Sequence, residues 1–242
     1  MKDIHNNIEF ENRDPDKKYG TLYGIGVGPG NEELLTIKAV KILESCDVVI
    51  APTAREQGES IALNTAKKFI NSKAEIYLKY FPMKKEKEEE IEEEIYENYR
   101  FMEKLLSEGK NVVFLTIGDP FVYSTYIYLL EYMKNHNLNI ETVPGITSFC
   151  AAASLAEQTL VIGDEPLLIL PGNRLDSIKD EKYLVIMKYY KNTEEVLDKL
   201  EEKGFKYVCV KRAYREGQEI LRTREEILNS KDYMSIIIAN KE

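Results

Sequence analysis

An α/β fold is predicted by three features of the amino-acid sequence. Short β-rich apolar runs alternate with segments of helical period, the pattern of βαβ units. One run, NVVFLTI (111–117), is continuously apolar, as expected of a strand buried on both faces of a parallel sheet. Glycine- and proline-bearing turns join strand to helix at three places: GVGPGN (26–31), GDPFVYST (118–125) and VPGITS (143–148).

TLYGIGVG (21–28) reads as a strand entering a loop. NEELLTIKAVKILESC (31–46) reads as a helix, because Leu34, Leu35, Ile37, Ala39, Val40, Ile42 and Leu43 recur at helical spacing. Asn31 is placed to cap it. DVVIAP (47–52) is a second strand ended by proline, SIALNTAKKFI (60–70) a helix and EIYLKY (75–80) a third strand. Segment 84–110 is acidic at first and amphipathic later, with Ile91, Ile95, Tyr99, Met102 and Leu105 or Leu106 facing inward; its charge run is a solvated helix face. Beyond Gly118 the texture changes. A loop leads into a helix (118–135), then come a strand, a Pro-Gly turn and an Ala-rich helix (139–158). LLILPG, YLVIMKYY, YVCVKRA and YMSIIIAN are further strands, and TEEVLDKLEEKG (193–204) is a helix with Thr193 as N-cap and Gly204 as C-cap. This divides the chain into a polar tail (1–18), expected to be disordered, an N-terminal α/β domain (19–118) and a C-terminal α/β domain (119–242).

Composition removes several function classes. With 43% hydrophobic and 31% charged residues over 242 positions, the chain has the balance of a globular protein with a substantial core. No apolar run approaches 18 residues, so no membrane span is expected, and the N-terminus lacks the apolar core of a signal peptide. Cys46, Cys150 and Cys209 are odd in number and set in apolar surroundings, which points to reduced thiols in the cytoplasm. The two histidines, His5 and His136, lie in polar segments, so neither a zinc site nor a histidine-based triad is built from this sequence. A net charge of −9 argues against a nucleic-acid partner while leaving room for a local basic pocket.

The four glycines at alternate positions, Gly24, Gly26, Gly28 and Gly30, suggest a nucleotide loop but fit neither common pattern. The last glycine of a dinucleotide fingerprint would fall on Pro29 or Asn31, and Gly30 is followed by Asn31-Glu32 instead of the Lys-Ser/Thr of a triphosphate loop. What the three junctions share is position. In a doubly wound sheet, ligands sit beyond the carboxyl ends of the strands, where such loops collect.

GIGVGPGNEELLTIKA, GDPFVYST and VPGITS, in that order and at these distances, resemble the tetrapyrrole methylase family over residues 20 to 240. FPM (81–83), TIGDPFVYSTYIYLL and VIMKYY (185–190) resemble its branch that methylates the meso carbon at position 20 of a precorrin-type ring. The resemblance implies two α/β domains with a cofactor cleft between them, S-adenosylmethionine as methyl donor (S-adenosylhomocysteine as product), a homodimer, and a place in corrin ring biosynthesis. Pro29 would line the cleft, and Gly118 and Asp119, with Val122 beside them, would hold the methionine part of the cofactor. Tyr123, Ser124 and Thr125 would close this loop. Thr147, Ser148, Met187 and Ala213 would surround the adenosine. Two departures stand out: Asn31 replaces the commoner aspartate after GPG, and the N-terminal extension is unusual.

The chemistry suits a histidine-poor chain. A methyl sulfonium brings its own activation, so the protein positions and desolvates, and no catalytic acid or base is named. Ring carboxylates require basic residues; of Arg55, Lys84, Lys85, Arg174, Lys188, Arg212 and Arg215, the sequence favours Arg55 and Lys188. Another ring position, another acceptor such as a ribosomal RNA ribose or a translation factor, and a non-catalytic cofactor-binding protein remain open alternatives.

Overall fold

The computed structural model describes residues 17–53, 55, 58–81, 88–230 and 232–242. Most of the N-terminal tail, Pro82 and Met83 of FPM, Lys84 and Lys85, and the side chain of Ile91 lie outside the described residues. The chain divides into two compact units. One holds Leu35–Gly145 and the described residues of Met1–Val27; the other holds Gly28–Leu34 and Ile146–Glu242.

The first unit is built on five strands: β1 (Thr21–Gly26), β2 (Val48–Thr53), β3 (Glu75–Tyr80), β4 (Val112–Thr116) and β5 (Asn139–Val143). They run parallel in the order β3-β2-β4-β1-β5. All five residues of β4 are buried, and they alternate between two cores. Val112 and Phe114 join Leu22, Val48 and Ile50 under helices α3 (Glu88–Ser107) and α4 (Tyr126–Asn135), where Tyr99, Met102, Leu106, Leu129 and Met133 are buried. Val113 and Leu115 join Ile25, Val49 and Ala51 on the other face, under α1 (Ile37–Leu43) and α2 (Ile61–Ala66). A strand covered on both faces has no polar side, so it reads as an unbroken apolar run.

The expected helix 31–46 is two pieces. Asn31 Oδ1 accepts from Glu33 N at 2.8 Å and starts only a 3-10 turn, Glu32–Leu34. α1 begins afresh at Ile37, where the Thr36 side chain caps Ala39 N.

The second unit holds β6 (Leu167–Pro171), β7 (Tyr183–Met187), β8 (Lys206–Lys211), β9 (Glu219–Leu221) and β10 (Ser235–Asn240) in the order β6-β7-β10-β8-β9. Only the β6–β7 pair is parallel. α5 (Ser148–Ala156) covers one face, packing Ala152, Ala153 and Ala156 on Val185, Val208, Val210, Ile236 and Ile238. α6 (Thr193–Glu202) and α7 (Arg224–Asn229) cover the other with Val196, Leu197, Leu200 and Ile227. Both cap positions of α6 fall one residue earlier than expected, at Asn192, which makes no side-chain cap bond, and at Lys203, with Gly204 following in the left-handed conformation (φ 74°).

The boundary expected at 118/119 is corrected by this topology. α4 and β5 belong to the first sheet, so the division falls after Gly145 and Gly28–Leu34 joins the second unit. The change of texture at Gly118 marks a loop at a strand end within the first unit, not a domain border.

Candidate functional site

In the first unit, the carboxyl ends of β1, β4 and β5 meet backbone against backbone. Val27 N donates to Thr116 O at 2.9 Å. A Cβ on Gly26 would lie 2.6 Å from Gly145 N and 2.7 Å from Gly118 O, inside any van der Waals contact. Those glycines therefore serve close approach of the chain to itself.

Asp119 fastens this junction. Its Oδ1 accepts from Phe121 N (2.9 Å) within its own loop, and Oδ2 accepts from Gly145 N (3.1 Å) in the Pro-Gly turn. Val122 N closes the turn onto Asp119 O at 3.2 Å. Tyr123 stands in the left-handed region (φ 50°), a conformation costly for an aromatic residue and concentrated at functional loops. Ser124 Oγ accepts from Tyr126 N (3.0 Å) and so starts α4; Thr125, at the N-cap position, makes no side-chain cap bond. Behind the loop, Tyr126 is fully buried, its hydroxyl 2.7 Å from Thr142 Oγ1. At the end of β4, Thr116 Oγ1 is buried without a hydrogen-bond partner among the described residues.

The first unit thus gathers Gly118, Asp119, Val122, Tyr123, Ser124 and Thr125 into one loop tied to the next junction. Arg55 follows β2 at the same carboxyl edge, exposed.

In the second unit, Thr147 is the N-cap of α5 in position and backbone angles (φ −66°, ψ 147°), yet its hydroxyl does not cap the helix. Instead Thr147 Oγ1 is buried with no partner among the described residues. A buried hydroxyl left unpaired costs stability, so it points to a group absent from the chain itself. Ser148 opens α5, half-buried. Met187 ends β7 and Ala213 follows β8; both pack against the cluster of Val185, Val208 and α5. Thr147, Met187 and Ala213 therefore border one face of the second sheet. Pro29 is buried in the segment that joins this unit.

Strain marks the same strand ends. Lys188, directly after β7, and Arg212 and Tyr214, after β8, all have positive φ (53°, 47° and 59°). Partial burial lowers the Lys188 ammonium below the ordinary lysine pKa. Of the other basic residues, Arg212 is engaged by Asp232, with Nε 2.7 Å from Oδ2, and Arg174 is exposed. Arg215 is half-buried, and its Nη1 is buried without a partner. Arg215 stands among the candidate cations of the sequence without being favoured there, whereas Thr116 leaves only the trace of a polar residue near the end of an apolar strand. Among the described residues no group of three His, Cys, Asp or Glu is placed to hold a metal ion, and no helix is long and apolar enough to cross a membrane.

Comparison with known proteins agrees with this architecture. The family model described as Tetrapyrrole (Corrin/Porphyrin) Methylases matches residues 21–228. A probable cobalt-precorrin-2 C(20)-methyltransferase of Methanocaldococcus jannaschii is 35% identical, the match covering 91% of this chain and 96% of that protein. The cobalt-precorrin-2 C(20)-methyltransferase of Salmonella typhimurium is 29% identical, over 92% and 97%. Among solved structures, a cobalt precorrin-4 methyltransferase has the same fold with a TM-score of 0.71 at 24% identity, covering 91% of this chain and 94% of that one. A uroporphyrin-III C-methyl transferase from Thermus thermophilus complexed with S-adenyl homocysteine has a TM-score of 0.65 at 21% identity, over 92% and 98%.

Proposed function

Since the chain belongs to the tetrapyrrole (corrin/porphyrin) methylase family, we propose that it is an S-adenosylmethionine-dependent methyltransferase acting on C-20 of precorrin-2 or its cobalt complex in cobalamin biosynthesis. The observation that carries this reading is the match to cobalt-precorrin-2 C(20)-methyltransferases over 91% and 92% of the chain, and the Thr147 hydroxyl, buried and without a partner among the described residues at the head of α5, supports a ligand there. A cofactor with polar edges supplies the missing hydrogen bond there.

The cofactor, when bound, supplies a methyl group on a positively charged sulfur that departs as a neutral thioether. The chain's part is placement. Gly118, Asp119 and Val122 hold the methionine portion on a loop whose backbone is stiffened by the Asp119 bonds to Phe121 and Gly145; Tyr123, Ser124 and Thr125 close it. Thr147, Ser148, Met187 and Ala213 hold the adenosine, and Pro29 lines the site. Fixing donor and acceptor in a near-attack arrangement contributes roughly 7–11 kcal/mol toward the barrier. Lys188 and Arg55 offer cations to ring carboxylates. The meso carbon is already electron-rich, so no side chain activates it, and its proton leaves to water or to a substrate carboxylate. Any cobalt arrives within the substrate. The protein works as a homodimer in the cytoplasm.

The test is an anaerobic assay with methyl-labelled S-adenosylmethionine, offering precorrin-2 and its cobalt complex side by side, with NMR to locate the label. Label at position 20 of one substrate supports the reading and decides the metal question. Cofactor binding with no transfer to either substrate removes the assigned acceptor, and no cofactor binding removes the site.

A further inference from the structure

A site that holds a polycarboxylate needs cations that the protein has not already neutralised. Arg212 is paired with Asp232, and Lys211 with Glu219 at 2.9 Å. Arg215 differs. It makes no ion pair among the described residues, and its Nη1 is buried without a hydrogen-bond partner. Desolvation and the neighbouring Arg212 charge lower its pKa from the ordinary arginine value. A guanidinium left in this state is destabilising unless an anion completes it.

The fold fixes where this charge lies. Its side chain runs over Gly30, where a Cβ would overlap Cδ and Cγ of Arg215. Gly30 also has φ 125°, which only glycine adopts readily. The turn bearing Arg215 is stitched by Arg215 N to Arg212 O (3.0 Å), Gln218 N to Arg215 O (3.1 Å) and Tyr214 N to Gln218 Oε1 (2.8 Å). Ala213, assigned above to the cofactor, stands in the same turn.

We propose that Arg215 is a ligand-binding residue of this site and donates from its buried guanidinium to a carboxylate. The carboxylate belongs to a peripheral acetate or propionate of the tetrapyrrole or to the amino-acid end of the cofactor. The inference rests on the methyltransferase reading of the site, whose substrate and cofactor both carry carboxylates. The planar fork of arginine matches that group through paired N–H donors, which a lysine ammonium does not.

Arg215→Met tests it, because the variant retains an apolar stem against Gly30 and removes every donor. Three probes are titrated: S-adenosylhomocysteine, 5′-methylthioadenosine, which lacks the amino-acid carboxylate, and uroporphyrin, a polycarboxylate macrocycle followed by its fluorescence. A tetrapyrrole contact raises the uroporphyrin Kd and the substrate KM about 10- to 100-fold, with kcat and S-adenosylhomocysteine affinity near wild type. A cofactor contact raises the S-adenosylhomocysteine Kd by that factor while methylthioadenosine binds both proteins alike. Unchanged affinities for all probes overturn the proposal, as does a variant that melts well below wild type with normal binding, which marks the arginine as structural. Should Arg215→Met not fold, Gly30→Ala displaces the arginine stem with its charge intact, and must weaken the same probe. Wild-type protein that ignores S-adenosylhomocysteine defeats the methyltransferase reading instead, and the uroporphyrin titration still scores Arg215.

Discussion

Thr147 and Asp119 sit at comparable strand–helix junctions and predict opposite behaviour. Thr147→Val removes a buried hydroxyl that has no hydrogen-bond partner among the described residues. The variant is expected to be as stable as wild type or more so, while its S-adenosylhomocysteine affinity falls by about 0.5–1.5 kcal/mol, the worth of one hydrogen bond. Calorimetric titration beside a thermal melt separates the two effects; equal affinity means that the hydroxyl does not face the cofactor. Asp119→Ala instead loses both stability and binding, because the carboxylate already accepts from two backbone N–H groups. Stranding the half-buried Gly145 N–H costs about 1–3 kcal/mol, measurable by urea denaturation, and loosens the loop proposed to hold the methionine moiety. The order and spacing of the motifs single out Asp119 in the sequence as a candidate site residue. Its fastening role is not legible there, since the partner at Gly145 lies 26 positions away and reaches it only through the packing of β4 against β1 and β1 against β5.

At the scale of elements, β1 shows how one motif mixes purposes. Gly24 is a core residue with a neighbour: any Cβ there would enter the ring of Tyr126, which fills the space above the strand. Gly24→Ala is expected to destabilise by about 1–3 kcal/mol through overpacking. Combined with Tyr126→Leu, it should cost less than the sum of the single changes, because the smaller side chain makes room; strict additivity in urea melts would show that the two do not touch. The strands were legible because apolar runs and alternation declare them, and β3 matches the expected bounds. Two elements are not legible from periodicity. β9 is only three residues long, too short for any periodicity. α7 is six residues long, and its local sign is the capping box in which Thr223 Oγ1 accepts from Glu226 N while the Glu226 side chain returns to Thr223 N. The apolar face over 31–46 says nothing about where the backbone restarts; Thr36 decides that.

At the scale of the whole molecule, burial of acidic protons sets the alkaline limit. Burial pushes Cys46 and Cys209 up to about 11 from 9.0, and raises the phenols of Tyr99, Tyr132 and Tyr189 above the ordinary tyrosine range. Folded protein keeps these protons while the unfolded chain releases them. Their contribution to stability is therefore complete below about pH 9 and declines as pH climbs toward the folded values, with a slope of up to about 1.4 kcal/mol per pH unit for each group. Urea midpoints should be level from pH 7 to 8.5 and fall by pH 10.5; a flat profile contradicts the burial. Native protein should also expose a single thiol to alkylation, at Cys150, with Cys46 and Cys209 reacting only after unfolding.

The position of β10 has a consequence for synthesis. The first sheet is complete in sequence once Val143 has been made, whereas the second awaits Ser235–Asn240, the strand that joins β7 to β8. Until it emerges, two strand pairs with apolar unpaired edges stand apart, an invitation to mispairing. At typical elongation rates of about 5–20 residues per second the interval lasts roughly 5–20 s. Ribosome-stalled chains ending near residue 230 should yield a protease-resistant first unit and a second that is digested, with resistance appearing once residue 240 clears the ribosome. The translation apparatus and its chaperones therefore have to shelter the half of the protein that carries Thr147, Met187 and Arg215.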